Sequence, residues 1–317
     1  MNVEPTHQTP WDWRAAMQFI SGGTGAGLLL FTALASLNEP AWLLRAGLLA
    51  LAFVGLGLFF VWLKLGRRLR PLYVFLNPRT SWMSREALFS IGVMIFGLAG
   101  ILLSSIPMTL VAAACGLGYL YSQARILKEA RGIPAWRESW IVPLMVLTGL
   151  IEGVSLLVLI AAFFGGVDAW LTVALLLLTG GRWYAWNQYH QNLVAPGAAP
   201  VRTVESLQET HRIMVPLGHV APLVTLVAAL LIPSTALIFG FIAGITALSG
   251  GWVLKFNLMT RAAYNQGFAL AHTPARTPGY GGGGVKPGWT PPITRTADTK
   301  SKVPGELVHA FKSGELD

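Results

Sequence analysis

The sequence predicts an all-α, polytopic membrane protein of eight transmembrane helices packed as two four-helix bundles, with both termini on the same face. Three observations carry this prediction. Apolar residues make up 54% of the chain and charged residues only 12%. The apolar residues fall in runs of about 18 to 25, long enough to cross a hydrocarbon core of roughly 30 Å. The connectors alternate between short neutral turns and long basic stretches, so successive helices shuttle between two chemically different faces.

Composition also removes other classes. The formal charge is +9, but Lys and Arg concentrate in the connectors, where they report orientation or meet anionic headgroups rather than nucleic acid. The single cysteine, Cys115, lies in an apolar run. The chain therefore forms no internal disulfide and cannot hold an iron–sulfur cluster or a thiolate zinc site by itself. The opening MNVEPTHQTPWDW has no basic n-region and no small-residue cleavage site, which argues against a removable signal peptide.

In chain order, residues 1–13 read as an interfacial segment anchored by Trp11 and Trp13. The helices are expected over 14–37, 41–63, 87–104, 107–123, 140–164, 168–189, 215–232 and 236–258. Asn38-Glu39-Pro40 turns the first into the second, Ile106-Pro107 breaks the third from the fourth, and Pro233 stops the seventh. Residues 259–317, rich in Gly, Pro, Thr and Lys, read as an extended tail that cannot build a core. Glycines four residues apart, Gly23 and Gly27, Gly149 and Gly153, Gly240 and Gly244, suit close helix approach. GGTGAG, Gly22 to Gly27, sits inside an apolar span with no strand before it, so it serves packing rather than a dinucleotide.

The even-numbered connectors carry Lys64, Arg67, Arg68, Arg70, Arg79 and Arg85, then Arg125, Lys128, Arg131 and Arg137, then Arg202 and Arg212. Lys255 and Arg261 add to that face at the end of the last helix. By the positive-inside rule this face, and both termini, are cytoplasmic, in a cell inner membrane. The longest of these connectors, KLGRRLRPLYVFLNPRTSWMSRE from Lys64 to Glu86, organises the polar residues around it.

Ionisable groups within spanning helices are costly and mark functional positions. Gln18 on the first helix, Glu86 opening the third, Tyr184, Asn187 and His190 closing the sixth, and His219 early in the seventh all fall in the half nearest the basic face. Glu152 lies near the midplane, with Arg182 slightly to the basic side. These two form either a structural ion pair or a proton path. Arg45 is expected to snorkel to the far interface. A transporter would keep its site near the midplane with access from both sides. The one-sided arrangement instead suits a lipid-soluble quinone, whose carbonyls need donors such as Lys64, Arg67, Gln18 and His190, and whose reduction needs protons that Glu86 can relay. Two alternatives remain open: a haem b anchor ligated by His190 and His219, and a secondary transporter.

Two stretches resemble a known family. LGRRLRPLYVFLNPRTSWMSREAL, Leu65 to Leu88, is similar to the loop between helices two and three of the membrane-anchor subunits of dimethyl sulfoxide reductase and its relatives, near the polysulfide-reductase-type anchors. RAAYNQGFALAH, Arg261 to His272, is similar to the sequence after their last helix. The resemblance implies a haem-free, non-catalytic integral subunit of a molybdopterin oxidoreductase. Its partners would be a four-cluster iron–sulfur subunit, docked on the basic face, and a catalytic molybdenum subunit. Electrons would pass between the nearest cluster and a quinone, ubiquinone or menaquinone. The family's quinone-site glutamate matches Glu86, its histidine before Leu-Gly aligns with Lys64, and its early helix-one positions match Gln18 and Gly22. Lysine in place of histidine is a poorer proton shuttle near neutral pH. VKPGW, Val285 to Trp289, together with a cytoplasmic catalytic face, points to the branch that oxidises phenylacetyl-coenzyme A.

Overall fold

The computed structural model describes residues 7–64, 74–75, 77–130, 132–164 and 166–264. Arg67, the first part of the Leu65–Leu88 motif (65–73 and residue 76), VKPGW and nearly all of the tail lie outside them.

The described residues are helical, with no named strand. The helices are α1 Trp13–Ser36, α2 Trp42–Arg45, α3 Gly47–Lys64, α4 Trp82–Leu102, α5 Ile106–Lys128, α6 Pro134–Arg137, α7 Ile141–Phe163, α8 Ala169–Val194, α9 Val201–Ile213, α10 Ala221–Leu231 and α11 Ala236–Thr260. A π-helical stretch, Met214–Val220, joins α9 to α10, and a single 3₁₀ turn, Pro233–Thr235, precedes α11. Six helical runs are long and apolar enough to cross a membrane by length and composition. Two more long helices, α5 with 23 residues and α8 with 26, complete the expected eight.

The expected helices are present, with edges moved where caps or polar extensions intervene. The third helix starts at Trp82 rather than residue 87, because the Ser81 hydroxyl accepts from the Ser84 N–H and caps it. Glu86 consequently sits on the second turn, not at the opening. The second helix is split at Ala46, leaving the α2 turn before α3. Its Arg45 is held near the far end by Glu39, at 2.6 Å, and lies over Phe164, 5.0 Å from the ring centroid. Helix α8 runs on to Val194, so Tyr184, Asn187 and His190 lie within it rather than at its close. The seventh helix begins at Val201, placing Arg202 and Arg212 in a helix rather than a connector. Pro216, which has no N–H to give to the ladder, lies in the π-helical stretch together with His219.

Helices α1, α3, α4 and α5 pack in sequence around one bundle, and α7, α8, α9–α10 and α11 around a second. The two bundles join where α1 meets α7 and α11 and where α5 meets α7. Helix α1 is therefore the most enclosed span, 89% buried over its apolar window, against 33% for the α2–α3 run. Its crossing with α7 rests on glycine: a Cβ on Gly153 would stand 2.0 Å from the carbonyl carbon of Gly27. Two of the expected glycine pairs thus meet one another, backbone to backbone.

The first and last described residues meet at one end of the helical unit. His7 and Ala263 form an antiparallel bridge, and Gln8 N–H donates to Ala262 O at 2.9 Å. The Gln8 side chain also donates to the carbonyls of Trp11 and Met259. Trp136 of α6 donates to Leu258 O at 2.9 Å, and Tyr189 of α8 to Ala135 O at 2.7 Å, closing the same end.

Candidate functional site

Three polar clusters interrupt this apolar scaffold. The first lies inside the α1–α3–α4–α5 bundle, towards the end where Gln8 meets Ala262. Gln18 Nε2 of α1 donates to Glu86 Oε1 of α4 at 2.9 Å. Tyr119 and Gln123, one turn apart on α5 and so on one face, border the same carboxyl group. Gln123 Nε2 donates to the Tyr119 hydroxyl at 3.1 Å, leaving that hydroxyl its proton to give. Gly22 makes room for the tyrosine, since a Cβ there would sit 2.3 Å from the Tyr119 oxygen. Tyr119 is fully buried, Glu86 is 8% exposed, and Gln18 is half-buried, so the cluster is closed behind and open in front.

One turn nearer that end, Trp82 carries the guanidinium groups of Arg85 and Arg125 at 4.1 and 4.7 Å from its ring centroid, with Tyr121 edge-on. Lys64 also lies at this end. Its ammonium stands 4.9 Å from the Trp11 ring centroid, and Trp11 packs in turn on Phe19 and Trp136. Asp12 caps α1 by accepting from the Arg14 N–H, and the Arg14 side chain that also binds it holds its carboxyl below the usual range.

The second cluster straddles the two bundles near their middle. Glu152 Oε2 of α7 meets Lys255 Nζ of α11 at 2.5 Å and accepts from Thr24 Oγ1 of α1 at 3.0 Å. Lys255 also donates to Phe19 O at 3.0 Å, and Trp252 to Thr24 Oγ1 at 3.1 Å. The expected partner of Glu152 was Arg182; the structure gives it Lys255 instead. Lys255 projects from α11 into a gap that Gly23 leaves open, since a Cβ on Gly23 would stand 2.2 Å from Nζ. Arg182 turns to backbone carbonyls, donating to Gly218 O at 2.5 Å and Ala247 O at 3.3 Å. The carbonyl of Gly218 is within reach because it belongs to the π-helical stretch.

The third cluster is aromatic. His190 stacks on His211 at 4.3 Å between centroids, and Trp186 Nε1 donates to His211 Nδ1 at 3.1 Å, which assigns the His211 proton to Nε2. Tyr184 packs edge-on against Trp140 and is exposed. His219 stacks on Trp183, with ring centroids 6.1 Å apart.

Of the residues singled out in the sequence, Gln18, Gly22 and Glu86 come together. Lys64 stands at the same end with Trp11 as its contact, and Tyr184, Asn187 and His190 belong to the other bundle. Sequence reasoning missed Tyr119 and Gln123; their four-residue spacing puts them on one helix face but does not say which way that face turns. It also read Lys255 as part of the basic face, although Gly251 one turn earlier marks a helix face packed closely enough to take it inward.

The groups around Glu86 are amide and hydroxyl donors, of the kind that bond a carbonyl oxygen, beside a carboxyl group able to exchange a proton. A family model described as DMSO reductase anchor subunit (DmsC) matches residues 8–242. Comparison with the curated proteins gives no match.

Proposed function

The chain belongs to the DMSO reductase anchor subunit (DmsC) family, the membrane anchors of molybdoenzyme complexes with catalytic and iron–sulfur subunits, and from that premise we propose that it binds a quinone at the Gln18–Glu86 cluster. The hydrogen bond from Gln18 to Glu86, backed by Tyr119 and Gln123, carries the reading. Converting a quinone to its quinol takes two electrons and two protons. The electrons come from an iron–sulfur subunit, and the residues here attend to the protons. Gln18 and the Tyr119 hydroxyl orient a carbonyl oxygen by donation, and Glu86 exchanges protons with water at the nearby end of the bundle. Closed packing around Tyr119 keeps the ring in one place.

The docking surface for a four-cluster iron–sulfur subunit is the end where Gln8 meets Ala262, where Arg85 and Arg125 flank Trp82 and the Glu86 cluster lies one turn beneath. The basic connectors support a cytoplasmic position for this end in the inner membrane. The catalytic molybdenum subunit then faces the cytoplasm, which suits oxidation of a coenzyme A thioester such as phenylacetyl-coenzyme A with electrons delivered to the quinone.

Purification of the chain from its native membrane tests this reading. Iron–sulfur and molybdenum subunits should accompany it, and quinone reduction should depend on the thioester. A chain recovered alone, with no bound quinone, would overturn the reading. A Soret band would replace it with a haem-ligating quinol anchor.

A further inference from the structure

The second bundle holds more hydrogen-bonding capacity than its own groups satisfy. Glu152 Oε1 and Ser155 Oγ on α7, Thr179 Oγ1 and Arg182 Nε on α8, and the His219 ring nitrogen that does not face the Met214 backbone are buried with no protein partner. All five residues are 0% exposed. Ser155 follows Glu152 by three positions and Thr179 precedes Arg182 by three, so each pair shares a helix face. Helices α7 and α8 pack together, and α8 also packs on the π-helical stretch that carries His219.

Several hydroxyls elsewhere behave differently, although Thr32 Oγ1 of α1 is also buried without a partner. Ser122, Thr148, Thr210, Thr225 and Thr246 each donate back to the carbonyl four residues earlier. Ser155 and Thr179 do not, although the same option is open to them. Unpaired polar groups are strongly unfavourable in a hydrocarbon surround, so groups of this kind imply a ligand.

The chemistry of the seam selects the ligand. Arg182 is a fixed cation beside it, which disfavours a metal ion. Glu152 presents a carboxyl oxygen and Ser155 and Thr179 offer lone pairs, which disfavours an anion. Donors and acceptors alternate along the seam, and water meets both with two to four bonds per molecule. We propose that bound water fills this seam and connects Glu152 through Arg182 to His219, giving these groups proton exchange with the solvent. The π-helical turn contributes by opening the backbone beside His219. The proposal stands apart from the quinone reading and survives if that reading fails.

Hydroxyl-radical footprinting of the full chain in lipid nanodiscs, with radicals generated from water by brief X-ray exposure, tests hydration directly. His219 should be oxidised several-fold faster than Trp136 or Tyr189, which are equally buried outside the seam. Labelling of His219 at their rate would overturn the proposal. Nitrogen-15 histidine spectra in D₂O then test exchange, with His219→Gln identifying the signal. Rapid loss of the His219 ring N–H supports the route, and an N–H that persists in D₂O overturns it.

Discussion

Gln18 of α1 and Glu86 of α4 bond at 2.9 Å across the diagonal of the first bundle. Within this bundle α1 packs on α3 and α5, and α4 on those same two helices, so the bond lies inside the four-helix ring. Glu86 is only 8% exposed there. Replacing Glu86 by Gln keeps the shape and removes the exchangeable proton. The E86Q complex should assemble normally, while quinone-linked turnover falls by about 10²-fold or more. Steady-state assays with a soluble quinone analogue measure this, and undiminished turnover would remove Glu86 from the site.

Lys64 has an aromatic contact rather than a carboxylate partner. Its ammonium lies over Trp11, which wedges between Phe19 and Trp136 near the meeting of Gln8 and Ala262. Lys64→Leu should lower stability by about 0.5–1 kcal/mol, the scale of an exposed cation–π contact. The KM for quinone should stay unchanged. A clear rise in KM without loss of stability would show that Lys64 contacts the substrate.

Glu152 and Lys255 are buried on different helices and neutralise one another. Removing either partner strands a charge in the interior, and Glu152→Gln or Lys255→Met should each cost about 3–5 kcal/mol. The double variant should be far less damaged than the sum of the two. A denaturation series in detergent on all four proteins gives the coupling, and simple additivity would argue against a direct pair.

At the α1–α7 crossing, a Cβ on Gly153 would stand 2.0 Å from backbone of Gly27. Backbone cannot step aside as a side-chain tip can. Gly153→Val should therefore destabilise by at least the roughly 1–3 kcal/mol typical of overpacking. Gly180→Ala, at a helical glycine with open space around it, is the control and should melt near the parent temperature. Equal melting of the two variants would refute the contact.

Much of the fold was legible in the sequence because membrane helices announce themselves locally. Run length gave the spans from 13 to 36 and from 141 to 163 to within a residue or two. The edges that moved are those set by polar chemistry. Ser81 caps α4 early, and α8 and α9 carry amphipathic extensions that hydropathy does not register. In the site, Glu86 and Gln18 were readable from depth and type. Tyr119 and Gln123 were not, because their roles depend on which face of α5 turns inward, and that is a matter of tertiary packing. The partner of Glu152 was missed for the same reason: depth along a helix brought Arg182 level with it, while rotation about the helix axis gave the place to Lys255.

Gly22 and Gly23 are neighbours in sequence, yet one opens towards Tyr119 in the first bundle and the other towards Lys255 in the second. With so little clearance on either side, a slide or roll of α1 by a fraction of an ångström presses on both clusters at once. The helix works as a common lever: its position cannot be tuned for one cluster without resetting the other. Bulk added at either glycine should be felt in both halves of the molecule.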